Sequence, residues 1–197
     1  MSPAHVLEPT YRRLKRALMD GAWPSGAKLE AQRLADEFGV SMTPIRDSLN
    51  QLVGEGLVDL TPGEGFRVAS LSEQTFRDML HVNASLLETA ADAGWKQPDR
   101  MLIPALDGDY ADRLATAFSI LAAGSGNKFL AGLVRAIGER LHPVRRREPE
   151  IVPRALETLG KIEEALHGSA VERREIVWRY HRQCAAHAAG LIDLAAR

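Results

Sequence analysis

This chain lacks several of the features by which a sequence most readily declares its function. Cysteine occurs once in 197 residues, at Cys184. That excludes an intramolecular disulfide framework and a cysteine-rich zinc site, and it fits a reducing compartment. No run of about 18 apolar residues is present, and the opening stretch MSPAHVLEPTYRRLKRAL has no apolar signal core, so a cytoplasmic protein with no membrane span is expected. Charge is balanced, with 25 Lys and Arg against 26 Asp and Glu, so any nucleic-acid partner must be met by local placement of charge. No elbow motif surrounds a serine. The GSGNKF stretch lacks the Gly-Lys-Ser/Thr ending and the preceding strand of a phosphate-cradling loop. Catalysis is not expected.

What the sequence does contain is helical periodicity, punctuated by glycine and proline. Tyr11, Leu14 and Leu18 recur at helical spacing over residues 10–21, with Gly21 as a stop. Leu29, Leu34, Ala35 and Phe38 mark a second short helix, ended by Gly39. Ser41 is placed to cap a third helix from Met42 to about Val53, with Ile45, Leu49, Leu52 and Val53 on its inner face. Pro44 falls at the third helical position, where its missing N–H has no intrahelical partner to lose. After Gly54 and Gly56, LVDL and FRVA read as two short strands around the turn TPGEG.

Three helices and a two-stranded wing define a winged helix-turn-helix over residues 1–69. From Ser70 onward the pattern is wholly helical, beginning with a long amphipathic helix that Ser72 is placed to cap. Further segments are expected at about 98–106, 110–123, 126–142, 150–167 and 169–195, parted by breaks that include Pro98, Gly108, Pro143, Pro149 and Gly168. The fold class is therefore mainly α, with a six-helix bundle over residues 70–197. No internal repeat or low-complexity tract is visible.

A helix-turn-helix requires the exposed first turn of its third helix to be small and hydrogen-bonding. Ser41, Met42, Thr43 and Arg46 occupy that turn. Arg46 suits a phosphate or the acceptor edge of guanine, Thr43 a phosphate or a thymine methyl, and the helix N-terminus adds partial positive charge. A small helical subdomain with no DNA role is the bland alternative.

At these residues the chain resembles the GntR superfamily of bacterial transcription regulators. The resemblance rests on Leu29, Leu34-Ala35, GVSMTPIRDSL, EGLV at 55–58 and GFRV at 65–68. It implies double-stranded operator DNA as partner, with Gln32, Arg33, Ser41, Met42, Thr43, Pro44, Arg46 and Gly65 at the interface. The helical remainder, with LLETAA at 86–91 and GSGNKFL at 124–130, is similar to the ligand-binding domain of the FadR subfamily. That likeness implies a homodimer and a small-molecule effector. Met42 stands where the family usually has arginine, and Glu64 precedes Gly65 where a basic residue is frequent. Residues 1–70 hold eight Lys and Arg against nine Asp and Glu. Specific DNA binding of modest affinity, with a weakened nonspecific part and a small salt slope, is expected. Arg12, Arg13, Lys15 and Arg16 either offset this or form a solvated helix face.

The subfamily often holds a metal through one Asp and three His, with an arginine nearby. Those positions fall here at Ala115, Ser119, about Leu159 and His181, and the arginine at Ala84. One imidazole does not make such a site, so no metal or other cofactor is expected. Asn83 and His181 lie on apolar stripes, either as satisfied core groups or, with Glu88, as the lining of a repurposed pocket for a neutral or apolar effector. HPVRRREPE, residues 142–150, reads as a solvated interhelical loop, with an anion-binding or dimer-bridging cluster as the alternative. A regulator fold that no longer senses ligand, or a protein-interaction module, remains as a rival to the regulated DNA-binding protein.

Overall fold

The computed structural model describes residues 4–92 and 106–197. The chain divides into two compact units, one of the residues up to Leu71 together with Ala195–Arg197 and the other spanning Ser72–Leu194. The helix expected at about 98–106 falls outside the described residues.

The first unit is a winged helix-turn-helix. Its elements are α1 (Ala4–Met19), β1 (Lys28–Leu29), α2 (Ala31–Phe38), α3 (Met42–Gly54), β2 (Val58–Thr61) and β3 (Gly65–Val68). Helix α1 begins earlier than the periodicity suggests and runs through Pro9. The turn between α2 and α3 depends on Gly39, whose φ of 68° lies in the left-handed region and whose N–H returns to the carbonyls of Ala35 and Asp36. Ser41 has the extended backbone of an N-cap, but its side chain makes no capping bond, contrary to expectation. Pro44 is tolerated at the third position, and its carbonyl accepts from the Ser48 hydroxyl at 2.7 Å. That bond satisfies a side chain with no exposed surface.

The wing has three strands, not the two expected. Its order is β1-β3-β2, all antiparallel, with Leu29 opposite Phe66 and Val58 opposite Val68. Leu29, read as the first apolar residue of the second helix, is instead the buried end of β1. A two-residue strand is too short to show the alternation by which strands are recognised. Leu14, Leu18, Leu34, Ile45, Leu49 and Leu52 form the core of this unit with the inner residues of the wing.

The second unit is all helical: α4 (Glu73–Asp92), α5 (Tyr110–Gly124), α6 (Lys128–Arg145), α7 (Glu148–Ile151), α8 (Ala155–Ala165), α9 (Ala170–Ala186) and α10 (Ala188–Ala195). Ser72 caps α4, its hydroxyl accepting from Thr75 N at 3.0 Å. A capping box of Ser169 and Glu172 starts α9. Helices α4 and α9 pack together, α5 lies against α6, and α8 closes on α9 and α5. The break expected at Pro143 is absent. The proline lies in the last turns of α6, and burial of Leu141, Val144 and Arg145 keeps the helix wound beyond it. The expected last helix is instead two, divided at His187.

Leu49→Ala removes a fully buried side chain from the seat of α3. Urea unfolding of the winged domain should show a loss of about 2–5 kcal/mol. A loss below ~1 kcal/mol would mean that this face is not packed as described.

Candidate nucleic-acid interface

Helix α3 is buried on one side only. Ile45, Ser48, Leu49 and Leu52 face the core, while Ser41, Met42, Thr43, Arg46, Asp47 and Asn50 are exposed. Both α1 and α2 pack against it from within the unit. The first N–H groups of α3 thus lie at an open helix end, where unpaired donors and the helix dipole favour an anion.

Arg46 is exposed and has no hydrogen bond or ion pair among the described residues. The same is true of Arg33, in the first turn of α2. Gln32 is exposed but engaged, donating to Asp36 Oδ1 at 3.0 Å. Met42 is 36% exposed, and Pro44 is half-buried. Gly65 begins β3 with φ of 89°, a conformation that side chains rarely adopt, so the glycine is required by the wing's turn. Glu64 beside it lies 3.6 Å from Arg67, whose guanidinium also donates to the Gly26 carbonyl. That cation is turned towards its own domain.

The basic residues of α1 are also occupied internally. Arg12 pairs with Glu8 at 2.6 Å and Arg16 with Asp20 at 2.9 Å, while Arg13 stacks over the Phe38 ring at 4.0 Å. Arg12, Arg13 and Arg16 nevertheless remain exposed. Lys15 has a role the sequence did not reveal. Its ammonium lies 2.9 Å from Glu55 Oε2, and the Tyr11 hydroxyl donates to Glu55 Oε1 at 2.6 Å. Burial pulls the Glu55 carboxyl upward, but the hydrogen bond from Tyr11 and the Lys15 charge outweigh it and hold its pKa below the usual carboxylate range. Glu55 directly follows α3, where a negative charge opposes the helix dipole. The contacts from α1 offset that opposition and fix the far end of the recognition helix. The motif EGLV contained the signal, but its partners lie 40 or more positions back in the chain.

The helical unit has a second polar centre. Asn83 and His181, expected to face inward, meet: His181 Nε2 lies 3.0 Å from Asn83 Oδ1, and its Nδ1 lies 2.8 Å from the Val177 carbonyl. A neutral imidazole has one N–H for these two acceptors, so one contact goes without a proton. Burial first, and the Arg145 charge besides, hold His181 down to about 3, against the hydrogen bond to Val177. Glu88 does not join them. Five residues beyond Asn83 it points about 140° away around α4 and is only half-buried.

The stretch HPVRRREPE is not a solvated loop. Its Arg146 and Arg147 pair with Asp109 and Glu150, but His142, Arg145 and Glu148 are each at most 1% exposed. Arg145 donates to Asn83 Oδ1 at 3.2 Å and lies over the Phe118 ring. The hydroxyls of Tyr110 and Tyr180 donate to Glu148 at 2.7 and 2.8 Å. Burial raises the Glu148 carboxyl above its ordinary value, even though Arg145 and both tyrosines pull it down. Burial likewise lowers Arg145, but Tyr180 and Glu148 outweigh it and leave it raised. The residues around His181 do not fit a divalent metal, because the Arg145 guanidinium already places a positive charge there.

An exposed helix end on a tri-helical, winged scaffold defines a DNA-binding class of domain. Residues 8–68 match the family described as bacterial regulatory proteins, gntR family. The HTH-type transcriptional repressor GlaR of Escherichia coli is 36% identical over 76 residues, which are 39% of this chain and 34% of that protein. The HTH-type transcriptional regulator McbR of the same organism is 30% identical over 73 residues, 37% of this chain and 33% of its own length. The chain thus spans about a third of these curated relatives, which are described as a transcriptional repressor and a transcriptional regulator. Two solved structures share the fold across both units. One, described as a transcriptional regulator GntR from Rhodococcus sp. RHA1, has a TM-score of 0.77 at 18% identity, covering 93% of this chain and 97% of its own. Escherichia coli McbR/YncC gives 0.71 at 19% identity with the same coverage. No helix among the described residues is long and apolar enough to cross a membrane.

Arg46→Ala should lower affinity for specific DNA about 10-fold or more in a gel-shift titration, with an unchanged circular dichroism spectrum. Equal affinity would remove Arg46 from the interface. For His181, the depressed folded pKa means that the unfolded chain takes up the proton first. Its contribution to stability is therefore complete above its ordinary value of 6.5 and declines as pH falls towards about 3. Urea unfolding across that range should show a shallower decline in His181→Phe than in the native chain. Parallel curves would show that the ring is not held neutral.

Proposed function

We propose that this chain is a transcription regulator that binds a partly palindromic operator as a homodimer, in the cytoplasm. The observation that carries the reading is the exposed first turn of α3. Thr43 and Arg46 stand clear of the core, and Arg46 has no intramolecular partner among the described residues, on a helix seated by α1 and α2. In this reading Arg46 reads a base edge or a phosphate, Thr43 supports it, and Ser41, Met42 and Pro44 border the groove. Gln32 and Arg33 meet the backbone beside it, and Gly65 lets the wing approach closely. The balanced charge of residues 1–70 keeps the nonspecific part of the affinity small.

Two readings of the helical unit follow. In the first, a small neutral or apolar effector engages the Asn83–His181 pair and shifts the balance between two arrangements of the dimer. In the second, the unit senses no ligand and DNA binding is constitutive. Arg145 favours the second, because a ligand entering this centre must compensate or displace a fully buried charge.

Selection of bound duplexes from a random DNA pool tests the function and its symmetry together. The expected product is an inverted repeat with half-site centres about one helical turn apart. A pool that stays unenriched sends the winged domain to the rival role of a protein-interaction module.

A further inference from the structure

The outward face of α3 carries a residue whose chemistry is wrong for holding phosphates. With about 100° per residue, the side opposite Ile45, Leu49 and Leu52 presents Thr43, Asp47 and Asn50, with Arg46 at its edge. Asp47 is exposed and makes no hydrogen bond or ion pair among the described residues. It lies beyond the first turn, where the helix dipole has faded, and it touches no core. No contact among the described residues gives this carboxylate a role in the fold.

Against a duplex, an unpaired carboxylate is repelled by the phosphates on every sequence. Its favourable partner in the major groove is an exocyclic amino group. In an A·T pair that group lies between two acceptors, adenine N7 and thymine O4. In a C·G pair the cytosine N4 amino has guanine O6 on one side only. A carboxylate therefore suffers less repulsion at cytosine.

We propose that Asp47 is a specificity-determining residue that accepts a hydrogen bond from one cytosine N4 amino group in each half-site. At other sequences its charge opposes binding. This rests on the operator-binding reading and deepens it. Arg46 supplies attraction and Asp47 supplies discrimination from the same helix face.

The test repeats the random-pool selection with the full chain carrying Asp47→Ala or Asp47→Asn, followed by titrations on the enriched duplex and on the same duplex with that cytosine changed to thymine. The native motif should contain an invariant C·G pair whose change costs about 10-fold or more. Asp47→Ala should lose that preference while binding random-sequence DNA several-fold more tightly. Asp47→Asn should move the preference towards adenine, which an amide reads through N6 and N7. A native motif that both variants retain unchanged overturns the role of Asp47 and leaves operator binding standing. Failure of the native chain to enrich any motif overturns both.

Discussion

One-sided burial of α3 is the constraint on which the rest of the molecule's chemistry depends. Ile45, Leu49 and Leu52 have no exposed surface, and each contributes roughly 1.5–3 kcal/mol by leaving water. That apolar anchorage fixes the rotation of the helix about its own axis, and so decides which residues face outward. Tyr11 and Lys15 hold its far end through Glu55. The near end is left open: Ser41 makes no capping bond, and Arg46 has no partner among the described residues.

The exposed face so presented mixes signs. Arg46 attracts phosphate and Asp47 repels it, Glu64 sits at the wing, and the cations of α1 are spent on neighbours within the domain. A domain of this kind gains little from the polyanionic character of DNA as such. In the proposed reading its affinity comes from base edges and from the open helix end, which favours selectivity over strength. The helical unit differs in having a buried charged centre. Besides its surface ion pairs, that unit buries charge in a centre where Arg145, Glu148, two tyrosines, Asn83 and His181 satisfy most of one another's needs. The Asn83 amide nitrogen and Arg145 Nε remain without hydrogen-bond partners there among the described residues.

Much of the first domain was legible because its punctuation is chemical. Gly39 and Gly56 adopt positive φ where helices end, and Pro44 sits where a missing N–H costs little. The third strand was not legible, since two residues carry no periodicity and Leu29 also fits the spacing of the next helix. Ser41 showed that cap position and cap hydrogen bond are separable. In the helical half, Asn83 and His181 were correctly placed inward by their stripes. Arg145 and Glu148 were misread because a run of charge ordinarily means solvent, and complete burial of such residues is rare unless partners await them. Those partners, Tyr110 and Tyr180, lie 32 or more positions away in sequence and only the fold brings them together. Glu88 failed for a simpler reason, a phase error of more than a third of a helical turn.

The central claim is that the first turn of α3 enters a groove of duplex DNA. Cys184, the single cysteine, is fully buried, so a Thr43→Cys variant offers one reactive thiol at that turn for a tethered iron chelate. Cleavage of a selected duplex should concentrate in the major groove of each half-site, in two zones about one helical turn apart. Cleavage no stronger or more localised than that from a chelate at exposed Val171, on the helical unit, would contradict the account.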